Sequence, residues 1–196
     1  PLRISIERND GLNSVFKTVV STKDDDTVRE SLAYVERLVK TLLWQWGGWK
    51  VVVGGPKTVG NHVRSAYSLG GRRAFDAEFM CLVYEKPFTV EVVDFDEVPK
   101  PKEERLRLGG HLDGCRIGFD AGASDRKVAA VINGQVVFSE EVVWDPKNRS
   151  DPQYHFDEIM SAIRSAASYM PRVDAIGISA AGIYIKNRVM VASLFR

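Results

Sequence analysis

The sequence predicts a mixed α/β protein in two parts, and three observations carry this prediction. Residues 116–185 have the pattern of three strands, a helix and a fourth strand, while residues 1–95 alternate strand-like and helix-like patterns. Residues 96–114 combine prolines, glycines and charged residues with few apolar ones, as exposed connections do. We therefore predict a small α+β domain at 1–95, a linker at 96–114 and an α/β domain at 115–196.

Composition argues against several classes of protein. The chain has 196 residues, with 27 Lys and Arg against 26 Asp and Glu, and its net charge of +1 indicates neither nucleic acid nor an anionic membrane as a partner. No apolar run approaches the ~20 residues that a membrane-spanning helix needs. Cys81 and Cys115 lack the spacing of a zinc site or a disulfide framework. We expect a protein of the reducing cytoplasm, without a nucleic acid or membrane partner.

The first domain begins with a predicted hairpin and a long helix. Apolar residues alternate over 2–6, a turn follows, and a second apolar run occupies 15–20. Thr27 and Glu30 have the spacing of a capping box, and an apolar stripe continues from there to Trp46, where two glycines end it. This pattern predicts two strands and one amphipathic helix.

A glycine-rich stretch after this helix is the first candidate for ligand binding. Gly55 and Gly60 have the glycine spacing of a Walker A loop, but Asn61 and His62 replace the Lys and Ser/Thr that contact phosphate and magnesium. We therefore reject a P-loop. A weaker hypothesis is that four side chains contact a ligand from a flexible loop: Lys57, Asn61, His62 and Arg64.

Aromatic residues at the end of the long helix allow two interpretations. Trp44, Trp46 and Trp49 lie close together in the sequence, as in a stacking platform for a sugar or a base. Core packing is the interpretation we favour, because the apolar stripe of the helix already includes Trp46. The rest of this domain has the pattern of a helix around 75–83 and a strand at 88–95.

The second domain opens with a strand that ends in an acidic turn. An apolar run at 117–119 precedes Asp120, small residues occupy 121–124, and the chain becomes apolar again after Lys127. Gly122 leaves room for backbone N–H groups to approach an anion, and Asp120 can hold a hydrated cation beside that anion. This stretch therefore predicts a hairpin with a phosphate-binding turn.

The segments that follow predict the rest of the second domain. Asn133-Gly134, between two β-rich runs, is the strongest short-range hairpin signal and adds a third strand. Apolar residues at helical spacing over 151–170 predict an amphipathic helix, and 175–185 has the pattern of a further strand. The predicted order is strand, strand, strand, helix, strand.

The pattern Asp-x-Gly-x-Ser-x-x-Lys at such a hairpin resembles the first phosphate motif of the actin, hexokinase and Hsp70 ATPase superfamily. The order of elements is similar to the start of the ribonuclease-H-like lobes of that superfamily. The downstream order resembles most closely its ROK (repressor, open reading frame, kinase) sugar-kinase branch. The resemblance covers residues 116–196 and implies an incomplete ribonuclease-H-like lobe, the N-terminal piece of a longer protein.

The resemblance implies a site for ATP and Mg²⁺ in this domain. Asp120 would position the metal-bound phosphates and contact the Mg²⁺ ion. The other implied phosphate contacts come from the turn and the strand after it, at Gly122, Ala123, Ser124 and Lys127. Gly182 aligns with a glycine near the sugar substrate, and the catalytic aspartate of the family is expected beyond Arg196.

The chain departs from the family pattern at several positions. Ala123 and Ser124 replace a usual glycine and threonine, and Ala181 replaces a usual proline. Asp125 adds a carboxylate beside the expected phosphates, which is repulsive unless Arg126 or the cation offsets its charge. These departures motivate a second functional hypothesis, in which the protein senses a sugar or nucleotide without catalysis.

The leading hypothesis is an ATP-dependent sugar kinase that transfers the γ-phosphate to a sugar hydroxyl. A third hypothesis within the superfamily, an ATPase that activates a radical dehydratase, requires cluster-binding cysteines that this sequence does not supply. We expect this polypeptide alone to fold, but to show no kinase activity and little nucleotide affinity. We also expect an open sheet edge to favour pairing with another copy or with the remainder of its own protein.

Overall fold

The computed structural model describes residues 1–104, 109–192 and 194. The chain forms two compact units, Pro1–Leu106 and Arg107–Arg196, each with its own sheet and apolar core. Among the described helices, none has the length and apolar character needed to cross a membrane. The mixed α/β class predicted from the sequence is confirmed.

A four-stranded sheet and three helices form the first unit. Its elements in chain order are β1 (Leu2–Glu7), β2 (Asn13–Thr18), α1 (Asp25–Trp46), β3 (Lys50–Gly54), α2 (Lys57–Ala66), α3 (Ala74–Tyr84) and β4 (Thr89–Val93). The strand order is β2-β1-β3-β4, in which β1 runs antiparallel to both neighbours and β3 is parallel to β4. Alternate side chains of β1 pack against the apolar stripe of α1, as the two sequence periodicities predict.

Helix α1 begins with a capping box that differs from the predicted one. The Asp24 side chain accepts a hydrogen bond from the Thr27 backbone N–H at 2.9 Å, and Thr27 Oγ1 accepts one from the Asp24 N–H at 3.4 Å. The box predicted at Thr27 and Glu30 is therefore wrong, because Asp24 takes the N-cap position. Asp25 and Asp26 lie in the first turn, where the helix dipole favours negative charge.

Residues 57–64 lie on helix α2, so the flexible loop of the ligand hypothesis is wrong. Gly60 explains the glycine in this stretch, because a Cβ there would lie 2.6 Å from Val92 Cγ1 of β4. The glycine lets the helix approach the sheet closely. His62 Nε2 lies 3.0 Å from Glu36 Oε2, so this side chain has a partner within the protein.

The three tryptophans near the end of α1 have separate neighbours. Trp44 stacks on Phe79 with ring centroids 5.0 Å apart, while Trp46 packs against the apolar core. Trp49 Nε1 donates a hydrogen bond to the Arg8 carbonyl at 3.2 Å. Core packing is therefore confirmed for Trp46, and these three rings do not stack on one another.

Part of the predicted linker packs on the first unit. Val98 is buried, and Asn13 and Lys102 exchange two backbone hydrogen bonds of 2.9 and 3.0 Å. These contacts place the beginning of 96–114 within the fold of the first unit. Residues 105–108 of the predicted linker lie outside the described part of the chain.

The second unit consists of a four-stranded sheet with one helix on one face, and a separate two-stranded hairpin whose first strand takes the end of the single strand predicted at 175–185. Its elements are β5 (Cys115–Ala121), β6 (Asp125–Ile132), β7 (Gln135–Val143), α4 (Pro152–Ala167), β8 (Ala175–Ala180), β9 (Ile183–Ile185) and β10 (Arg188–Val191). The strand order is β7-β6-β5-β8, with β5, β6 and β7 successively antiparallel and β8 parallel to β5. This is the order of a ribonuclease-H-like lobe, so the predicted fold of this part is confirmed.

The connection between β6 and β7 is the hairpin predicted from Asn133-Gly134. Both residues have positive φ, 50° and 82°. A two-residue type I′ turn requires this conformation, and asparagine and glycine adopt it at low cost. The third strand of the sheet therefore follows from local sequence.

Helix α4 covers one face of the second sheet and provides the crossover that its parallel strand pair needs. Ile117 and Phe119 of β5 are buried against Ala162 and Ala166 of α4. Phe156, predicted on the apolar stripe, is 57% exposed and lies off the covered face. No helix among the described residues of the second unit covers the opposite face of the sheet, which we call the open face.

A buried carboxylate joins the three helices of the first unit. The side chain of Glu36 on α1 is only 4% exposed. Its Oε1 accepts a hydrogen bond from Arg73 Nε at 3.0 Å, and its Oε2 lies 3.0 Å from His62 Nε2. Because Arg73 immediately precedes α3 and His62 lies on α2, one carboxylate connects α1, α2 and the start of α3.

We expect Glu36→Ala to destabilise the first unit by roughly 2–4 kcal/mol, because the partly buried side chains of Arg73 and His62 both lose the carboxylate that they contact. Urea unfolding followed by tryptophan fluorescence measures this, since three of the four tryptophans lie in this unit. Glu30→Ala, at an exposed position of the same helix, is the control and should change stability by about 0.5 kcal/mol or less. Equal effects of the two substitutions would contradict the proposed role of Glu36.

Candidate functional site

Asp120 lies near the end of β5 on the open face. Strand alternation buries Phe119 and Ala121 on the helix side and leaves Asp120 exposed on the other. Ser179 Oγ of β8 donates a hydrogen bond of 2.6 Å to Asp120 Oδ1. This bond connects the turn motif to the last predicted strand, which are 59 residues apart in sequence.

Four residues at one level of the four strands form a polar row across the open face. Lys127 is paired in register with Asp120 on one side and Glu141 on the other. Ser179 is paired with Asp120, so the order across the sheet is Glu141, Lys127, Asp120, Ser179. The sequence identified Asp120 and Lys127 as site residues, but it indicated neither Ser179 nor Glu141.

The next level of the open face carries only small residues. Gly118 is paired in register with Ala129 and Gly177, and Ala129 is paired with Ser139. A Cβ at Gly118 or Gly177 would have no atom within 4 Å. The result is a shallow depression lined by this level and by the polar row. The depression leaves room for a ligand beside Asp120.

Trp144 forms hydrogen bonds with the turn at residues 121–124, for which the sequence predicts phosphate binding. Its indole Nε1 donates to the Gly122 carbonyl at 2.8 Å, and its backbone N–H donates to the Ser124 carbonyl at 3.1 Å. The indole is 5% exposed and packs edge-on against Phe119, with centroids 6.5 Å apart. The sequence did not indicate Trp144, because its role depends on the pairing of β6 with β7.

Gly122 is required by the close approach of Asp125. A Cβ at Gly122 would lie 2.5 Å from the Asp125 carbonyl oxygen and 2.8 Å from its Oδ1. Ala123 and Ser124 are exposed at the tip of the turn. The turn is therefore tight and accessible, as an anion-binding backbone needs to be, and its contact with phosphate stays a prediction.

Lys127 is held by two carboxylates. Its Nζ contacts Asp125 Oδ1 and lies 3.5 Å from Glu141 Oε1. The hydrogen bond from Lys127 lowers the pKa of Asp125, and the same bond raises the pKa of Lys127. Lys127, and not Arg126, therefore offsets the charge of Asp125. Arg126 is buried on the opposite face, where its Nε donates to Glu158 at 2.8 Å.

Asp120 fits a magnesium ion that is coordinated mainly by water and by the phosphates of a bound substrate. No group of three or more His, Cys, Asp or Glu side chains that could hold a metal occurs within residues 1–104, 109–192 and 194. Mg²⁺ is usually bound through one or two carboxylates and completes its coordination with water and substrate phosphates. An exposed carboxylate whose Oδ1 accepts a hydrogen bond from Ser179 suits this mode of binding. The described residues do not suit a metal site in which protein side chains supply all the ligands.

Gly182, the predicted sugar-binding residue, lies in the turn after β8. It has φ 148°, and a Cβ there would lie 2.7 Å from the Val191 carbonyl oxygen of β10. Close approach of this strand therefore explains the glycine. Gly182 does not line the depression beside the polar row, and its contact with a sugar stays a prediction.

Comparisons with known proteins do not identify the function of this chain. No family model matches the chain, and no curated protein matches it significantly. One similar solved structure is an exopolyphosphatase from Cytophaga hutchinsonii ATCC 33406, with 10% identity, 90% of this chain and 62% of that chain covered, and a TM-score of 0.26. Another is a Ppx/GppA family member from Aquifex aeolicus, with 11% identity, 91% and 66% covered, and a TM-score of 0.23.

These likenesses are too weak to carry an argument about this chain. The chain spans about three fifths of the length of the exopolyphosphatase. None of these comparisons supports the ROK sugar-kinase branch that the order of elements resembles. The ROK branch is therefore a matter for proposal.

The contact with Lys127 predicts that the Asp125 carboxyl titrates at a lower pH than an ordinary carboxyl group. The hydrogen bond from Lys127 lowers the pKa of Asp125. This pair therefore contributes its full stabilisation of the folded state at pH values above the ordinary pKa of a carboxyl group. This stabilisation is lost as the pH falls through the lowered pKa. We expect Lys127→Met to return the Asp125 midpoint, followed by NMR of the side-chain carboxyl, toward its ordinary value, while Lys127→Arg keeps it low. A midpoint that does not move in Lys127→Met would contradict the contact.

Removal of the indole N–H should loosen the turn. Trp144→Phe keeps an aromatic ring in the core but deletes the hydrogen bond to Gly122, which is worth about 1 kcal/mol. We expect amide hydrogen exchange over residues 121–124 to accelerate roughly fivefold, since 1.4 kcal/mol corresponds to a factor of ten.

Trp49→Phe deletes an equivalent indole hydrogen bond, to the Arg8 carbonyl, in the first unit. This control should leave exchange over 121–124 unchanged. Unchanged exchange in Trp144→Phe would show that the bond does not restrain the turn.

Proposed function

We propose that the second unit forms one wall of a site for a magnesium-bound nucleotide in a phosphoryl-transfer enzyme. The observation that carries this proposal is the 2.6 Å hydrogen bond from Ser179 to Asp120. It orients an exposed carboxylate beside the tight turn at 122–124. Phosphoryl transfer depends chiefly on such positioning and on charge neutralisation.

The charges of the site favour a metal-bound phosphate over a free one. Asp120, Asp125 and Glu141 surround a single cation, Lys127, which is already paired with two of them. A bare polyphosphate would meet net negative charge. A divalent cation at Asp120 would offset that charge and bridge to the phosphate oxygens, which supplies the electrostatic stabilisation of the transfer.

Within this class, the proposed enzyme is a ROK-like sugar kinase, because the order of elements after the turn motif resembles that branch most closely. The acceptor would be a hydroxyl group of a small sugar. In this proposal the catalytic base and the remaining nucleotide contacts come from residues beyond Arg196 or from another chain. The second unit supplies the metal–phosphate contacts at Asp120 and the turn.

Non-catalytic sensing is a second candidate function, and one observation favours it. Lys127 is engaged by Asp125 and Glu141, whereas a catalytic phosphate contact would require this ammonium to turn toward the ligand. A binding protein needs the metal-bound phosphates to be held but not transferred. Both functions would therefore use Asp120 to hold the metal. They differ in whether Lys127 has to turn from its carboxylate partners toward the phosphate.

Substitution of Asp120 tests the shared part of both proposals. Asp120→Asn keeps the size of the side chain and an acceptor for Ser179, but removes the charge that would hold Mg²⁺. Titration with magnesium–ATP, followed by amide NMR shifts over 120–127 and 179, detects binding even in the millimolar range. We expect roughly tenfold weaker binding or more, equivalent to about 1.4 kcal/mol.

Asp113→Asn removes another exposed carboxylate of the same unit, and it should bind as the unaltered chain does. Identical titrations of Asp120→Asn and the unaltered chain would remove the metal role of Asp120. ADP release against a panel of hexoses then separates the candidates, since a kinase releases ADP only with its sugar and a sensor releases none. This second assay uses the full-length protein.

A further inference from the structure

Lys127 has a carboxylate directly beside it on each neighbouring strand. It is paired in register with Asp120 of β5 on one side and with Glu141 of β7 on the other. Directly opposed side chains have Cβ atoms about 5 Å apart, and opposite charges at such positions attract each other. The long lysine side chain can therefore reach either strand, so the two carboxylates compete for one ammonium group.

The structure shows which of the two carboxylates the ammonium group contacts. Lys127 Nζ lies 3.5 Å from Glu141 Oε1, whereas no ion pair between Lys127 and Asp120 occurs within the described residues. The further contact with Asp125 does not decide between the two strands, because Asp125 lies on β6 itself, two residues before Lys127. Glu141 is therefore the side chain that draws the ammonium group toward β7 and away from Asp120.

The charge of Asp120 consequently stays uncompensated. Its Oδ1 accepts a hydrogen bond from Ser179, which is a neutral donor. Within the described part of the chain, no lysine or arginine forms an ion pair with Asp120. An ammonium group on this carboxylate would repel a second cation and would occupy the same oxygen lone pairs. Mg²⁺ prefers carboxylate oxygens, so the absence of such a pair favours its binding.

We propose that Glu141 is a positioning residue, which restrains Lys127 and thereby keeps the Asp120 carboxylate open to a divalent cation. This role rests on the proposed binding of Mg²⁺ by Asp120. Glu141 does not contact the metal itself. Because neighbouring strands lie about 4.8 Å apart and β6 stands between β7 and β5, the two carboxylates are separated by about 10 Å. Salt screens a direct attraction over such a distance, so Glu141 acts chiefly through Lys127.

Substitution of Glu141 tests this role first in the metal-free chain. In Glu141→Gln, the Lys127 ammonium group should move toward Asp120, because the competing carboxylate has lost its charge. The carboxyl ¹³C resonance of Asp120, measured at neutral pH without metal or nucleotide, reports that contact. We expect this resonance to shift in Glu141→Gln, but to keep its position when the same substitution is made in a Lys127→Met chain.

Titration with Mg²⁺ alone then measures the consequence for metal binding. Magnesium without nucleotide is the probe, because nucleotide phosphates would respond to the loss of any nearby carboxylate. Amide NMR shifts of residues 120 and 179, recorded at constant ionic strength, follow the binding. We expect Glu141→Gln to weaken Mg²⁺ binding about threefold, since the ion pair that Lys127 would gain with Asp120 is an exposed one.

Glu140→Gln is the matched control, because it removes the same charge from the neighbouring position of β7. The Glu140 side chain lies on the opposite face of the sheet, where its Oε2 is 3.8 Å from Arg126 Nη1. Arg126 also donates a hydrogen bond to Glu158, which this substitution leaves in place. The control should therefore bind Mg²⁺ as the unaltered chain does and leave the Asp120 resonance unmoved.

The outcomes separate the role of Glu141 from the proposed function. Equal Mg²⁺ affinity of Glu141→Gln and the unaltered chain, or an unmoved Asp120 resonance in that variant, would overturn the role of Glu141 alone. A loss of affinity that persists in full in the Lys127→Met chain would also contradict it, because the effect would not act through Lys127. Absence of Mg²⁺ binding by the unaltered chain would remove the metal role of Asp120, and with it any contribution of Glu141.

Discussion

The parallel pairing of β5 with β8 is the constraint on which the candidate site depends. Parallel neighbours cannot be joined by a tight turn, so a helix has to cross over one face and bring the second strand back beside the first. Helix α4 makes that crossover and packs on the side of Ile117 and Phe119. The register that results places Ser179 beside Asp120.

This arrangement gives the two faces of the sheet different roles. Apolar side chains and α4 occupy one face, and Arg126 is buried there with Glu158. The other face has small residues at one level and the polar row at the next. Because strand side chains alternate with period two, neighbouring residues such as Arg126 and Lys127 take entirely different environments. Lys127 therefore meets Asp125, while Arg126 cannot.

The restraint on the turn comes from outside the turn itself. Gly122 permits the tight approach of Asp125, but Trp144 supplies the hydrogen bonds that hold the carbonyls of the loop. Since this indole lies at the end of β7, the three antiparallel strands act together in shaping the turn. The same three strands carry Glu141, Lys127 and Asp120 of the polar row.

The sequence by itself determined the first elements of the second unit and their order, because their signals are local. The single strand predicted at 175–185 is wrong, since a turn divides it into β8 and β9, and β10 was not predicted. Asn133-Gly134 selects a hairpin turn, and period-two or helical spacing identifies the strands and the helix. The small residues around Asp120 likewise indicated a tight acidic turn without any knowledge of its neighbours. In the first unit, Thr27 was identified as a cap residue, but its partner was misassigned, since Asp24 and Thr27 satisfy the same local rule.

Only the tertiary structure decided which side chains meet across strands and helices. Ser179, Glu141 and Trp144 reach the site through pairings between segments that are distant in sequence, which no local pattern specifies. No local pattern singles out Glu36, yet it is buried where Arg73 and His62, from two other parts of the first unit, contact its carboxylate. Local propensity identifies the elements, whereas the partners of a side chain depend on how those elements pack.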